Sequence, residues 1–360
     1  MIFSQIREES LPKFHSYFGG MKSRHYLVLG CGGGGDIAGC LPLAKWLHSS
    51  HTKITLASLT WERSAVIEGY GPRPFSEISG LVSFDNQKYL QTYFPDIEGR
   101  NTNPEKLGEI KSVKLGDEST VIRTETKDVL MQATRVAKVL QQPVVYLDIN
   151  HGVKQLVEDL NEVISLLGID GVICLDVGGD VLARGNEPGL SSPLADAISL
   201  ACCAQIKVPS LLAIYAPNCD GELTLEELAD YFEEFDQEGL LIGMRSHSSD
   251  EMEYLKSILE QGDVITEASR QPLHFFHGNR GESAIRGGKR HVSLNPAIMA
   301  TYFFKLPELL SYCPLAQALL DNTSLLDANA LLLDEFRLIS EYEFEKRQYE
   351  QGLQKPISYD

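Results

Sequence analysis

The run HYLVLGCGGGGDIAGCLPLA, residues 25–44, constrains the fold of this chain more than any other segment. His25–Gly30 reads as a buried strand, Gly30 and Gly32–Gly35 as a turn, and the residues from Ile37 onward as a helix. KITLASLT, residues 53–60, reads as the next strand. Strand, turn, helix and strand in that order make a parallel βαβ unit, whose sheet must be covered on both faces. The alternation returns over residues 128–216, with strands at Pro143–Ile149, Gly171–Val177 and Pro209–Ala216 and helices between them. The expected fold is therefore α/β: a Rossmann-like, doubly wound, mostly parallel sheet with helices on both faces.

One domain over residues 24–345 is expected, with an irregular insertion at about 61–127. A lead-in, 1–23, precedes it and a loose tail, 346–360, follows. EYEFE, Glu341–Glu345, alternates strictly and reads as an edge strand.

Net charge narrows the partners. At −18 over 360 residues, the surface repels nucleic acid and anionic membranes. Seven cysteines without a CxxC spacing suit reduced thiols rather than a disulfide framework or a structural zinc site. No apolar run is long enough to cross a bilayer, so a cytoplasmic location is expected. A homo-oligomer is compatible with the sequence.

In doubly wound sheets, ligands bind beyond the carboxyl ends of the strands. That rule ranks the candidates. Gly30, Gly32, Gly33, Gly34 and Gly35 lack Cβ atoms, so their N–H groups can approach an anion, and a helix start follows. Asp36 is unusual there, because a carboxylate repels phosphate; a cap, a metal ligand or a ribose contact stays open for it. Asp176 and Asp180 flank Gly178-Gly179 at a strand end. They suit Mg²⁺ or general-base work. Ser192 and Pro193 read as N-cap and first helical residue, with Asp196 in the first turn. Asp148 and His151 end another strand and are candidate acid–base groups. Glu62, beyond the second strand, is placed to bind a ribose, and Trp61 either stacks on a base or belongs to the core. Asp220 and Glu222 follow the strand Pro209–Ala216, and Asp220 is a further metal candidate. Arg280 and Arg286, in a glycine-rich loop, could neutralise phosphate. Cys31 sits beside a helix start, but no histidine pairs with it.

The runs LVLGCGGGGDIAGCLPLA, TWERS with GPRPFSEISG, LDVGGDVLARGNEPGLSSPLADA and NCDGELTLEEL resemble the family of domain of unknown function 1152. It is found in archaea and some bacteria. The resemblance spans about residues 24–345. It implies that Gly30–Asp36, Trp61–Arg63, Asp176–Asp180, Ser192–Asp196 and Asp220–Glu222 belong to one shared design, but it supplies no reaction. Cys31 and the lead-in depart from the family pattern.

The favoured expectation is a hydrolase or transferase acting on an anionic, phosphorylated or nucleotide-like small molecule, assisted by Mg²⁺. A Rossmann-type enzyme using NAD or S-adenosylmethionine, binding a dinucleotide or nucleotide at the turn, is the alternative. A non-catalytic ligand sensor is the third. All require the glycine turn and the Asp176–Asp180 corner to meet in one pocket.

Overall fold

The computed structural model describes residues 24–49, 52–63, 69–97, 110–116 and 129–353, together with 14, 16–18 and 107. Most of the lead-in, the residues at 64–68, 98–106 and 117–128, and the tail from 354 lie outside the described residues.

Among the described residues a nine-stranded sheet organises the fold. Its parallel centre contains β1 (His25–Gly30), β2 (Lys53–Leu59), β5 (Val144–Leu147), β6 (Gly171–Val177) and β7 (Ser210–Tyr215). The spatial order is β5-β2-β1-β6-β7. The chain winds outward from β1 through β2 to β5, then returns to the other side of β1 as β6. The carboxyl ends of β1 and β6 therefore border the point where winding reverses, which is where such sheets leave a crevice.

Antiparallel strands extend both edges. β3 (Leu81–Val82) and β4 (Val113–Gly116) come from the expected insertion and continue the sheet beyond β5. On the other side β11 (Ala300–Lys305) lies between β7 and β8 (Leu241–Ser246), antiparallel to both. A separate hairpin, β9 (Gly281–Ile285) and β10 (Arg290–Leu294), carries the basic loop.

Period-two alternation sends successive β1 side chains to opposite cores. Leu27 and Leu29 join the face covered by helices Gly152–Leu167 and Pro193–Cys203. Tyr26 and Val28 join the face covered by helices Asp36–Ser49 and Ser249–Gln261. Phe14 and Phe18, from the lead-in, complete this second core against Tyr26. No helix among the described residues is long and apolar enough to cross a membrane.

One expected element is corrected. Residues 341–345 form the start of a helix, Glu341–Glu350, not an edge strand. Ser340 caps it by accepting from the Glu343 N–H at 3.3 Å. In a helix Glu341 and Glu345 fall on one face, and that face is buried. Alternation over five residues was too short to outweigh the cap.

Candidate active site

β1 and β6 end side by side. The Cys31 N–H donates to the Leu175 carbonyl at 2.9 Å, so the glycine turn and the Asp176–Asp180 corner leave adjacent strands together. They open a cleft lined by Gly32–Asp36, Glu62, Arg63, Asp176, Asp180, Ser192, Asp196, Asp220, Glu222, Thr266, Glu267 and Arg286. Its volume, about 60 Å³, is several times what one water needs.

The turn's glycines are explained largely by the protein itself. A Cβ on Gly30 would meet Asp36 backbone at 2.9 Å, one on Gly33 the Trp61 carbonyl at 2.9 Å, and one on Gly35 Thr266 Oγ1 at 2.7 Å. A Cβ on Gly32 would meet Asp36 Oδ2 at 2.7 Å and Asp196 Oδ1 at 3.1 Å. The space cleared by Gly32 therefore admits carboxylates. Two of the turn's donors are also consumed: Gly32 N–H by Asp36 Oδ2 at 2.7 Å, and Gly34 N–H by the Trp61 carbonyl at 2.6 Å.

The β6 corner turns at Gly178 and Gly179, with φ of +122° and +110°. The Gly179 N–H donates to Asp176 Oδ2 at 2.7 Å. Asp180 starts a short 3-10 turn and accepts from Ser192 Oγ at 3.4 Å. Ser192 precedes helix Pro193–Cys203, but its hydroxyl does not cap it; it donates to Glu222 as well. The helix's first N–H groups, at Leu194 and Ala195, donate instead to Glu341 at 3.1 and 2.8 Å. The C-terminal helix thus occupies a helix start that would otherwise attract an anion.

Acids dominate the cleft. Asp196 and Asp220 are buried, at 2% and 6% exposure. Among the described residues, Asp196 Oδ1 and both Asp220 carboxylate oxygens have no well-formed hydrogen bond, although the backbone N–H groups of Asp220 and Glu222 approach the Asp220 carboxylate. Burial and neighbouring carboxylates push Asp176, Asp180 and Asp196 well above the ordinary carboxylate range. Burial likewise raises Asp36 and Asp220 to about 7. Glu222 is the exception. Burial would raise it, but Arg290 at 2.7 Å and donors from Ser191 and Ser192 hold it below its usual value.

Two arginines face these acids. Burial opposes charge on Arg63, but Glu341, Glu345, Glu222 and Asp196 outweigh it and raise its pKa. Arg286 is lowered by burial and by the like charges of Arg63 and Arg290. Converging cations of this kind are where an anionic group gains most.

Other candidates are placed differently. Glu62 lines the cleft at the end of β2, buried and raised to about 7 by burial. Its Oε1 accepts from the Gln132 N–H at 2.6 Å, and its Oε2 has no partner among the described residues. Trp61 is fully buried and donates to Glu345 at 3.1 Å, so it belongs to the core. Asp148 and His151 sit at the end of β5, outside the cleft lining. Asp148 binds Asn150, with His151 at 3.7 Å. Arg280 is also outside the lining and bonds the carbonyls of Phe275 and Asn279. The Cys31 thiol donates to the Leu175 carbonyl at 3.2 Å, and burial pushes its pKa up, against a nucleophilic thiolate. The sequence reading missed Thr266 and Glu267, which follow helix Ser249–Gln261 without any motif.

No match was found among curated proteins or among solved structures. A family model does match, over residues 27–93 and 98–349. These carry the turn, both strand-end corners and the C-terminal helix, and the chain belongs to that family, described as "Protein of unknown function (DUF1152)".

Proposed function

We propose that the cleft is the active site of a divalent-cation-assisted enzyme that hydrolyses, or transfers a group from, a phosphorylated or nucleotide-like small molecule. The observation that carries this reading is a juxtaposition. Buried carboxylate oxygens on Asp196 and Asp220, without a well-formed hydrogen bond among the described residues, share one cleft with Arg63 and Arg286.

An unpaired buried carboxylate is costly unless a proton or cation meets it. Converging arginines favour a phosphate or carboxylate. A phosphorylated ligand with its cation satisfies both sets at once. A bound divalent ion supplies polarisation of the phosphoryl oxygen and a more acidic water. The chain's residues do the rest. Arg63 and Arg286 hold and orient the anionic group. Glu62, which titrates at about 7, can accept or return a proton near neutral pH.

One observation favours a second reading, a dinucleotide or S-adenosylmethionine site. Glu62 lies at the tip of β2 with one oxygen unpartnered among the described residues, the position from which such folds bind a ribose. The internal use of the Gly32 and Gly34 N–H groups weighs against it.

The test is a panel of phosphorylated metabolites, nucleotides and sugar phosphates with Mg²⁺ or Mn²⁺, read by phosphate release and by NMR of products. Turnover of one class, reduced about 100-fold or more by Asp176→Asn, supports the proposal. Binding of NAD or S-adenosylmethionine that disappears in Glu62→Ala would transfer support to the second reading. Binding without turnover across the panel would identify a sensor.

A further inference from the structure

The carboxylates of the cleft sort into two groups. Asp36, Asp176 and Asp196 bring one oxygen each within 4.8 Å of one another, with Cys31 Sγ beside them. Asp180, Asp220 and Glu222 do the same. Oxygens that share one divalent ion lie roughly 3–5 Å apart, so each group matches one coordination shell. Among the described residues each also contains a buried oxygen without a well-formed hydrogen bond: Asp196 Oδ1 in the first, and Asp220 Oδ1 and Oδ2 in the second, the Asp220 carboxylate approached by the backbone N–H groups of Asp220 and Glu222.

We propose that the cleft binds two divalent cations side by side, one held by Asp36, Asp176 and Asp196, the other by Asp180 and Asp220. The inference rests on reading the cleft as a cation-assisted site for an anionic ligand.

Two neighbouring groups are excluded as ligands on geometry. The Cys31 thiol donates to Leu175. Glu222 Oε2 already accepts from the Ser191 and Ser192 N–H groups, and its Oε1 from Ser192 Oγ and Arg290. What remains is all oxygen, which selects hard cations such as Mg²⁺ or Mn²⁺ over Zn²⁺. The sequence names Asp176, Asp180 and Asp220 as metal candidates; the fold divides them between the two groups.

Formal charge is consistent with two ions. Among the described residues, eight acidic side chains and two arginines line the cleft. With Arg290, which pairs with Glu222, the formal charge is −5. With every carboxylate ionised, one divalent ion leaves −3 and two leave −1. Two ions therefore allow all of these carboxylates to be ionised while an anion still enters beside Arg63 and Arg286.

Equilibrium dialysis of the full chain against Mn²⁺ alone, with metal analysis and electron paramagnetic resonance, tests this. Two Mn²⁺ per chain are expected, with a spectrum broadened by coupling between them. Asp196→Asn and Asp220→Asn should each retain one, and Asp148→Asn both. If either cleft variant fails to fold, Asp36→Asn and Asp180→Asn probe the same positions. One ion or none in the wild type overturns the proposal. So does a folded cleft variant that keeps two ions or loses both. Phosphate-ester turnover with a single bound ion would sink this inference and spare the functional reading. Two bound ions, with no binding of any phosphorylated compound, would do the reverse.

Discussion

Gly178 leaves no room for a side chain beside Asp220: a Cβ built on it would lie 2.2 Å from Asp220 Oδ1. The bare backbone at the β6 corner is what lets the β7 loop push its carboxylate into the cleft. With φ at +122°, an L-residue is strained there as well. Gly178→Ala should cost about 1–3 kcal/mol of stability and displace Asp220. Denaturant unfolding measures the first effect. Mn²⁺ dialysis measures the second, as loss of one ion. A variant with wild-type stability and metal content would show that the corner yields easily.

The raised acids make stability depend on pH. Asp36 and Asp220 titrate at about 7 against an ordinary 3.8, and Glu62 at about 7 against 4.5, chiefly through burial. Each binds its proton more tightly folded than unfolded. Their contribution is therefore fully present below the unfolded values and is lost as pH rises through about 7. Glu222 is shifted the other way, and its window lies on the acid side of 4.5. Metal-free protein should melt at a higher temperature at pH 5 than at pH 8. Added Mn²⁺ should raise the melting temperature more at pH 8, where no proton competes. Calorimetry across pH 5–8 with and without chelator checks both, and a flat profile would count against the buried charges.

Glu345 joins the C-terminal helix to the first half of the chain. Its Oε2 accepts from Trp61 Nε1 at 3.1 Å and from the Gly71 N–H at 3.0 Å. Glu345→Ala leaves two buried donors unsatisfied, at about 1–3 kcal/mol each. Glu345→Gln keeps a carbonyl acceptor and should cost less. Thermal melts of both variants give the ordering; equal losses would mean that packing, not hydrogen bonding, sets the cost.

Asp148 and His151 provide the contrast. Their strand ends at β5, outside the cleft lining. Asp148→Asn, although its side chain is buried, and His151→Ala should bind Mn²⁺ as the wild type does and keep any phosphate-ester turnover within about twofold, since neither side chain lines the cleft. A large loss in either would extend the site toward β5.

The centre of the fold was legible because buried parallel strands write their own signature. HYLVLG and GVICLDV are mostly apolar and each runs into a glycine turn, and the switch-point rule brings both turns together. Asp176 and Asp180 could be ranked in this way. Glu267 and Thr266 could not, since nothing local marks a residue that reaches the cleft only through the return of a distant helix. Glu341 was hidden by a misread element, although Ser340 followed by Glu343 is a helix-start signal that was present in the sequence. The division of the acids into two groups depends on side-chain directions, which spacing does not encode.

The placement of β11 has a consequence for synthesis. β7 is complete at Tyr215, yet its outer neighbour is not made until Lys305. For about 90 residues, roughly 5–18 seconds at ribosomal speed, the nascent sheet carries an open, apolar rim. β8 emerges in that interval but joins the sheet only through β11. A ribosome that stalls between residues 246 and 300 would release a chain with an exposed, adhesive edge.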